Sequence, residues 1–306
     1  MDRGQKVISQ ESLHFLLVML AAGLGGALAE LLRQYLRFVR SQAHAARQQV
    51  LVIEFWVYSR NPQRPTQEDL TRVLIGDGPP RIGTAEALVF TDVRFHMGTV
   101  KREANAMLFQ PGALLEPDAA LPPDLAERIE QAQAVHTVRF VAEPGALTER
   151  EESALRLSTW AALAIAEVAG GTLIVDIEAQ SAYTPEQFRQ AIEQNGADAF
   201  GLHIATRWWD DERTTYCFTR GLNKIGQPDI VAEDVPSDFQ TLARHLVGEF
   251  AEHVWKTRDL SPTVLEAFGS RFLLFTQPGD VSRSLHRGAW VRCGVNRLEP
   301  SDGSGE

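Results

Sequence analysis

Cysteine is nearly missing from this chain: Cys217 and Cys293 are the only two in 306 residues, and no CxxC pair exists. So few thiols exclude a disulfide-stapled scaffold and a structural zinc site, and they suit a reducing compartment. Positive charge is also scarce, with 30 Lys and Arg against 40 Asp and Glu and a formal net charge of -10. That balance argues against nucleic acid as a partner and against broad adhesion of the body to anionic lipid. Catalytic signatures are absent too. The chain has no GxSxG, no HExxH, no phosphate loop with Gly, Lys and Ser/Thr at the required spacing, and no Cys/His pair. No catalytic, cofactor-binding or metal-ligating residue is assigned on this ground.

What the chain does have is one long uncharged run. Residues 13–29 (LHFLLVMLAAGLGGALA) hold no Asp, Glu, Lys or Arg, and after Glu30 the apolar character continues through Leu31 and Leu32. A helix of about 20 mostly apolar residues spans the hydrocarbon core of a bilayer. Ala21, Gly25 and Ala29 recur every fourth position, a spacing that lets two membrane helices pack backbone on backbone. Arg33, Arg37, Arg40 and Arg47 follow the run, which places the C-terminal body in the cytoplasm and the anchor in the inner membrane as a single pass. Two other readings stay open. Ala27-Leu28-Ala29 is a small-x-small pattern of the signal-peptidase kind, although the preceding region carries little net positive charge. Alternatively the segment is a long helix packed in an assembly, because a leucine stripe from Leu13 through Leu20, Leu24 and Leu31 extends to Tyr35 and Phe38 in charged territory. That last reading leaves the protein cytoplasmic. The anchor is the preferred one.

The rest reads as an α+β body: a mixed or antiparallel sheet with helices packed on it, behind the long N-terminal helix. The expected divisions are 1–48 for that helix, 49–134 and 135–296 for two α+β halves, and 297–306 for a disordered tail. Residues 50–58 (VLVIEFWVY) are β-branched and aromatic and predict a central strand. Thr66 caps a helix running to Gly76, and residues 87–96 and 104–109 predict a pair of strands. Further on, the pattern predicts a strand over 135–142 and an apolar helix from a Thr148–Glu151 capping box to Gly170-Gly171. A strand over 172–177 and a helix opened by Thr184-Pro185 come next. Residues 199–209 and 214–219 read as paired strands around an acidic turn. A strand over 230–233 and a helix from Ser237 to about Trp255 follow.

Four constellations invite a chemical reading. His245, Glu249 and His253 share one helix side, but without HExxH this is most simply a solvated face. Asp176 ends an apolar strand, where α/β proteins present polar groups to clefts; the commoner role is to hold the backbone of the loop after it. Arg220 to Gly226 (RGLNKIG) offers Arg220, Lys224 and two glycines as an anion-binding nest, or simply a tight connection needing positive φ. Trp208 and Trp209 are adjacent, so on a strand they face opposite sides; burial of both is the commoner arrangement, and exposure of one marks an interface.

Residues 162–188 (ALAIAEVAGGTLIVDIEAQSAYTPEQF) and 219–230 (TRGLNKIGQPDI) together resemble bacterial α+β domains of unknown function. The shared features are an Ala-rich helix ending in a Gly pair, a strand ending in Asp, and a Pro-Glu helix start. The resemblance covers about 135–260, implies an interaction or immunity role, and brings no established active site. Two functions are therefore expected. The first is a non-enzymatic binding or assembly protein, with a protein partner or self-association through the N-terminal helix. The second is an enzyme with a cleft near Asp176, Tyr183 and the 220–226 loop. A deep polar cleft joining Asp176, His203 and Arg220 would favour the enzyme.

Overall fold

The computed structural model describes residues 51–76, 80–110, 115, 121–142, 151–210, 214–278 and 290–298. The chain divides after Gln48, and residues from Gln49 onward form one compact unit. The segment with Ala21, Gly25 and Ala29, the Thr148 cap and the C-terminal tail lie outside the described residues. Among those described, no helix is long and apolar enough to cross a membrane.

The unit is α+β with two mostly antiparallel sheets. The first contains β1 (Leu51–Ser59), β2 (Phe95–Lys101), β3 (Ala134–Ala142), β4 (Gly171–Asp176) and β5 (Ser181–Tyr183), in the order β2-β3-β1-β4-β5 with every neighbour antiparallel. β1 is central, as its apolar composition predicts. Leu51, Ile53, Phe55 and Val57 alternate onto one face and are fully buried. A helix from Glu151 to Ala169 packs there, against β1, β3 and β4. Four further helices precede or follow it: α1 (Gln67–Thr71), α2 (Thr84–Phe90), α3 (Leu125–Gln131) and α5 (Pro185–Asn195), so that the long one is α4. α1, α2 and α5 cover the far side of α4, which is why α4 is apolar nearly all round. α3 lies on the opposite face of the sheet, where Tyr58, Leu173 and Val175 meet Leu125 and Ile129 in a smaller core.

A short helix, α6 (Phe200–His203), leads into the second sheet. Its strands are β6 (Ala205–Asp210), β7 (Thr214–Arg220), β8 (Asp229–Pro236), β9 (Thr263–Ala267), β10 (Ser270–Pro278) and β11 (Trp290–Leu298). The order is β6-β7-β8-β11-β10-β9, antiparallel except for the parallel β8–β11 pair. α7 (Gln240–Thr257) crosses one face and buries Leu246, Val247, Phe250 and Val254. One apolar cluster runs through both sheets, from Ile53 and Phe55 to Ile230, Phe250 and Leu274.

Several sequence expectations need correction. Instead of one sheet with helices on it there are two: among the described residues β6, β7 and β8 pair with none of β1–β5, and β11, β10 and β9, which the hydropathy pattern leaves unassigned, extend the second sheet beyond β8. The expected boundary at 134/135 runs through the first sheet, since β3 starts at Ala134 and pairs with both β1 and β2. Residues 84–90 form a helix rather than part of a strand. Glu86 reaches back to accept the Gly83 N–H at 2.9 Å, which closes the N-terminal turn, and the strand begins only at Phe95. Residues 106–109 are a 3-10 turn that delivers Phe109 to the α3-side core. Residues 200–203 are helical, so the strand expected from 199 starts at Ala205.

Cys217 in β7 and Cys293 in β11 are both buried and free. β8 lies between their strands, so two strand spacings, roughly 10 Å, separate them, which is beyond disulfide reach.

Candidate functional site

Asp176 is the last residue of β4 and pairs in register with Phe55, so both side chains point to the same inner face. Lys224 comes from the 3-10 turn Leu222–Ile225 that joins β7 to β8. Gly221 and Gly226 bracket this turn at φ 109° and 69°, left-handed values that glycine adopts without strain. The turn drives the Lys224 side chain into the interior. Its ammonium donates to Asp176 Oδ2 and, at 2.9 Å, to the carbonyl of His203. Nζ also lies 5.6 Å from the centre of the Phe55 ring. Asp176, His203 and Lys224 each have 0% exposure.

Asp176 holds the following loop as well, since Oδ1 accepts the Ala179 N–H at 3.0 Å. Burial pushes its carboxyl up from the ordinary range, against the opposing pull of Lys224. His203 Nε2 lies 2.7 Å from the Ala197 carbonyl, and a carbonyl only accepts, so Nε2 carries the proton. Nδ1 is left as a bare acceptor, buried without a hydrogen-bond partner and 3.9 Å from Asp176 Oδ2. Burial, with the Lys224 charge adding to it, holds this imidazole well below its usual range and so neutral. The ring is clamped between Phe55, edge-on at 6.2 Å, and Trp255, stacked at 5.9 Å.

Two more acids surround the turn, Asp229 buried and Glu178 half-buried. Glu178 accepts from Asn223 Nδ2, and burial raises its carboxyl. Asp229 opens β8; its Oδ1 accepts from Thr219 Oγ1 at 3.1 Å and from the Leu222 N–H at 3.2 Å. Burial pushes the Asp229 carboxyl up to about 7. Arg220 is buried at the end of β7, where its charge acts on Asp229 rather than on Asp176.

The sequence candidates Asp176 and Lys224 thus meet, Arg220 goes to a neighbouring acid, and His203 joins as a member the sequence pattern treats as isolated. Glu178, Asn223 and Asp229 are further members without a sequence signature, although Asp229 and Glu178 each flank an apolar strand in the manner of Asp176. Tyr183 lies at the margin, where its hydroxyl donates to the Leu202 carbonyl at 3.3 Å and burial raises it to about 12. A surface cleft of about 630 Å³ lies elsewhere, against Arg64, Pro65, Phe90, Phe95, His96 and Met97.

Comparison with protein-family models, with curated proteins and with solved structures gives no match to this chain. The site is therefore read from its own chemistry.

The remaining candidates separate. His245 packs edge-on against Phe268 at 5.6 Å and His253 stacks on Phe250 at 6.4 Å, and among the described residues no group of three His, Cys, Asp or Glu can hold a metal. Trp208 and Trp209 lie on the edge strand β6 and are exposed by 42% and 53%. The expectation that both are buried is corrected. From α7 the Arg244 guanidinium stacks on Trp208 at 3.4 Å without covering it, and Trp209 points to the other face.

Proposed function

We propose that this chain is a non-enzymatic assembly protein that associates with copies of itself, tethered at the cytoplasmic face of the inner membrane through residues 13–32. The observation that carries the reading is the pair Trp208 and Trp209, both exposed on an edge strand, one on each face, with Arg244 stacked on Trp208. Trp and Arg are the residue types that dominate interface energies. Among the described residues β6 pairs only with β7, so its outer edge offers a row of backbone donors and acceptors. Antiparallel pairing of β6 with its own copy about a two-fold axis is self-complementary and satisfies both edges at once. The small-residue face of Ala21, Gly25 and Ala29 is equally suited to packing against itself. The resemblance of residues 135–260 to bacterial α+β domains of unknown function, which implies an interaction or immunity role, belongs to the same proposal. The groups capable of chemistry, Asp176, His203 and Lys224, are by contrast sealed from any substrate.

The test is the mass of the full chain in solution by light scattering, with a Trp208→Ala/Trp209→Ala variant beside it. Wild type is expected to run as an oligomer and the variant as a smaller species with an unchanged melting temperature. A monomeric wild type, or a variant that assembles equally well, overturns the proposal.

A further inference from the structure

We propose that Lys224 and Asp176 close an intramolecular amide bond within the folded chain, with Glu178 relaying the proton. This inference stands independently of the assembly proposal. The geometry supplies each part that amide formation from an amine and an acid needs. The nucleophile and the carboxyl are in direct contact, both fully buried, over the apolar floor of Phe55. Such proximity replaces a bimolecular encounter with an effective concentration of about 10⁵ M or more, and the dry interior removes the water that drives the reverse hydrolysis.

The steps balance as follows. In the buried ion pair a proton passes from Nζ to Asp176 Oδ2, which exchanges two desolvated charges for two neutral groups. The neutral amine attacks Cγ, and charge develops on Oδ1. That oxygen already accepts the Ala179 N–H at 3.0 Å, and the Glu178 amide also donates to this carboxylate, so donors are in place for the tetrahedral intermediate. Glu178 takes a second proton from Nζ and returns it to Oδ2. The Nζ–Cγ bond forms, the Cγ–Oδ2 bond breaks, and one water leaves. No oxidant or cofactor enters.

Glu178 is placed for this relay. It lies two residues beyond Asp176 and is held by Asn223, the neighbour of Lys224. Burial raises its carboxyl, as a group that gains and gives a proton requires. His203 Nδ1, the unpartnered acceptor 3.9 Å from Oδ2, faces the departing hydroxyl. The resulting cross-link joins the end of β4 in the first sheet to the β7–β8 turn of the second.

The test is the intact mass of the purified full chain under denaturing conditions, followed by tryptic mapping. The expected result is a mass lower than the sequence by one water. Trypsin should then give one branched product joining residues 157–189 to residues 221–244, because Lys224 is no longer cleavable. Lys224→Arg and Glu178→Gln are expected to show their full sequence masses, the latter with near-native circular dichroism. Asp176→Asn is expected to lose ammonia and reach the same mass as cross-linked wild type. A wild-type chain at its full mass that releases residues 221–224 overturns the proposal. A Glu178→Gln chain that cross-links as completely as wild type overturns the relay.

Discussion

Gly221 packs its bare α-carbon against the carbonyl of His203, at a place where a β-carbon would come within 2.3 Å of that oxygen. The same carbonyl accepts from Lys224 Nζ, so one close backbone approach sets the entry of the turn and the seat of the buried ammonium together.

Gly221→Ala is therefore expected to do two kinds of damage. It forces a side chain onto a φ of 109°, and it pushes the His203 carbonyl away from Lys224. Strain of this type costs about 1–3 kcal/mol, and the displaced carbonyl adds to it. Urea unfolding should show the midpoint falling without a change in slope. An unchanged midpoint would mean that the turn is free to shift.

Lys224→Met leaves the buried Asp176 with neither a cation nor an amine to join, and a buried charge so orphaned typically costs about 3–5 kcal/mol. The double variant Asp176→Leu/Lys224→Met has no orphan charge. It is expected to be more stable than the single Lys224→Met variant in thermal melts. The opposite ranking would show that the carboxyl finds other partners when the lysine is removed.

Asp229 predicts a pH dependence of definite sign. Its folded-state value is raised from 3.8 to about 7, so the folded chain holds a proton that the unfolded chain releases. The associated stability is fully present below about pH 4 and is lost as pH rises through about 7, by at most roughly 4 kcal/mol. Asp229→Asn keeps an acceptor oxygen for Thr219 and Leu222 and removes the titration. The gap between variant and wild type should open in favour of the variant between pH 4 and 8. A gap that stays constant across that range would refute the assignment. Glu178 is raised as well and titrates in both proteins, so the difference reports Asp229 together with its repulsion from Glu178.

For the N-terminal stretch, Leu20→Arg and Leu24→Arg should each cost about 2.5–3.5 kcal/mol of insertion if these positions sit mid-bilayer. Fractionation of cells should move the double variant from the membrane pool to the soluble pool with the body still folded. Wild type recovered in the soluble pool without detergent would dispose of the anchor.

Legibility in the sequence followed the range of the interactions. β1 and α5 are written locally: β1 in an unbroken β-branched and aromatic run, α5 in Thr184, Pro185 and Gln187, whose reciprocal cap forms as the spacing predicts. α2 is obscured because Leu88, Val89 and Phe90 look like the start of the strand that begins at Phe95, and only the Glu86 cap marks a helix there. The strands after α7 have mixed alternation, and their pairing with β8 depends on contacts from far back in the chain. Asp176 and Lys224 could each be marked as candidates, yet nothing local says that residues 48 positions apart will touch. His203 was illegible for the same reason, since its place depends on Phe55 and Trp255 rather than on its neighbours.

The apolar cluster that passes through both sheets has a consequence for how such a chain can be inherited and rearranged. Phe55 from the first sheet closes over Lys224 from the second, and Trp255 from the last helix closes over His203. Neither sheet carries its own complete interior, so neither can be lent alone to a fusion gene or survive as a split half. Recombination that respects this molecule must move residues from β1 to β11 as one cassette.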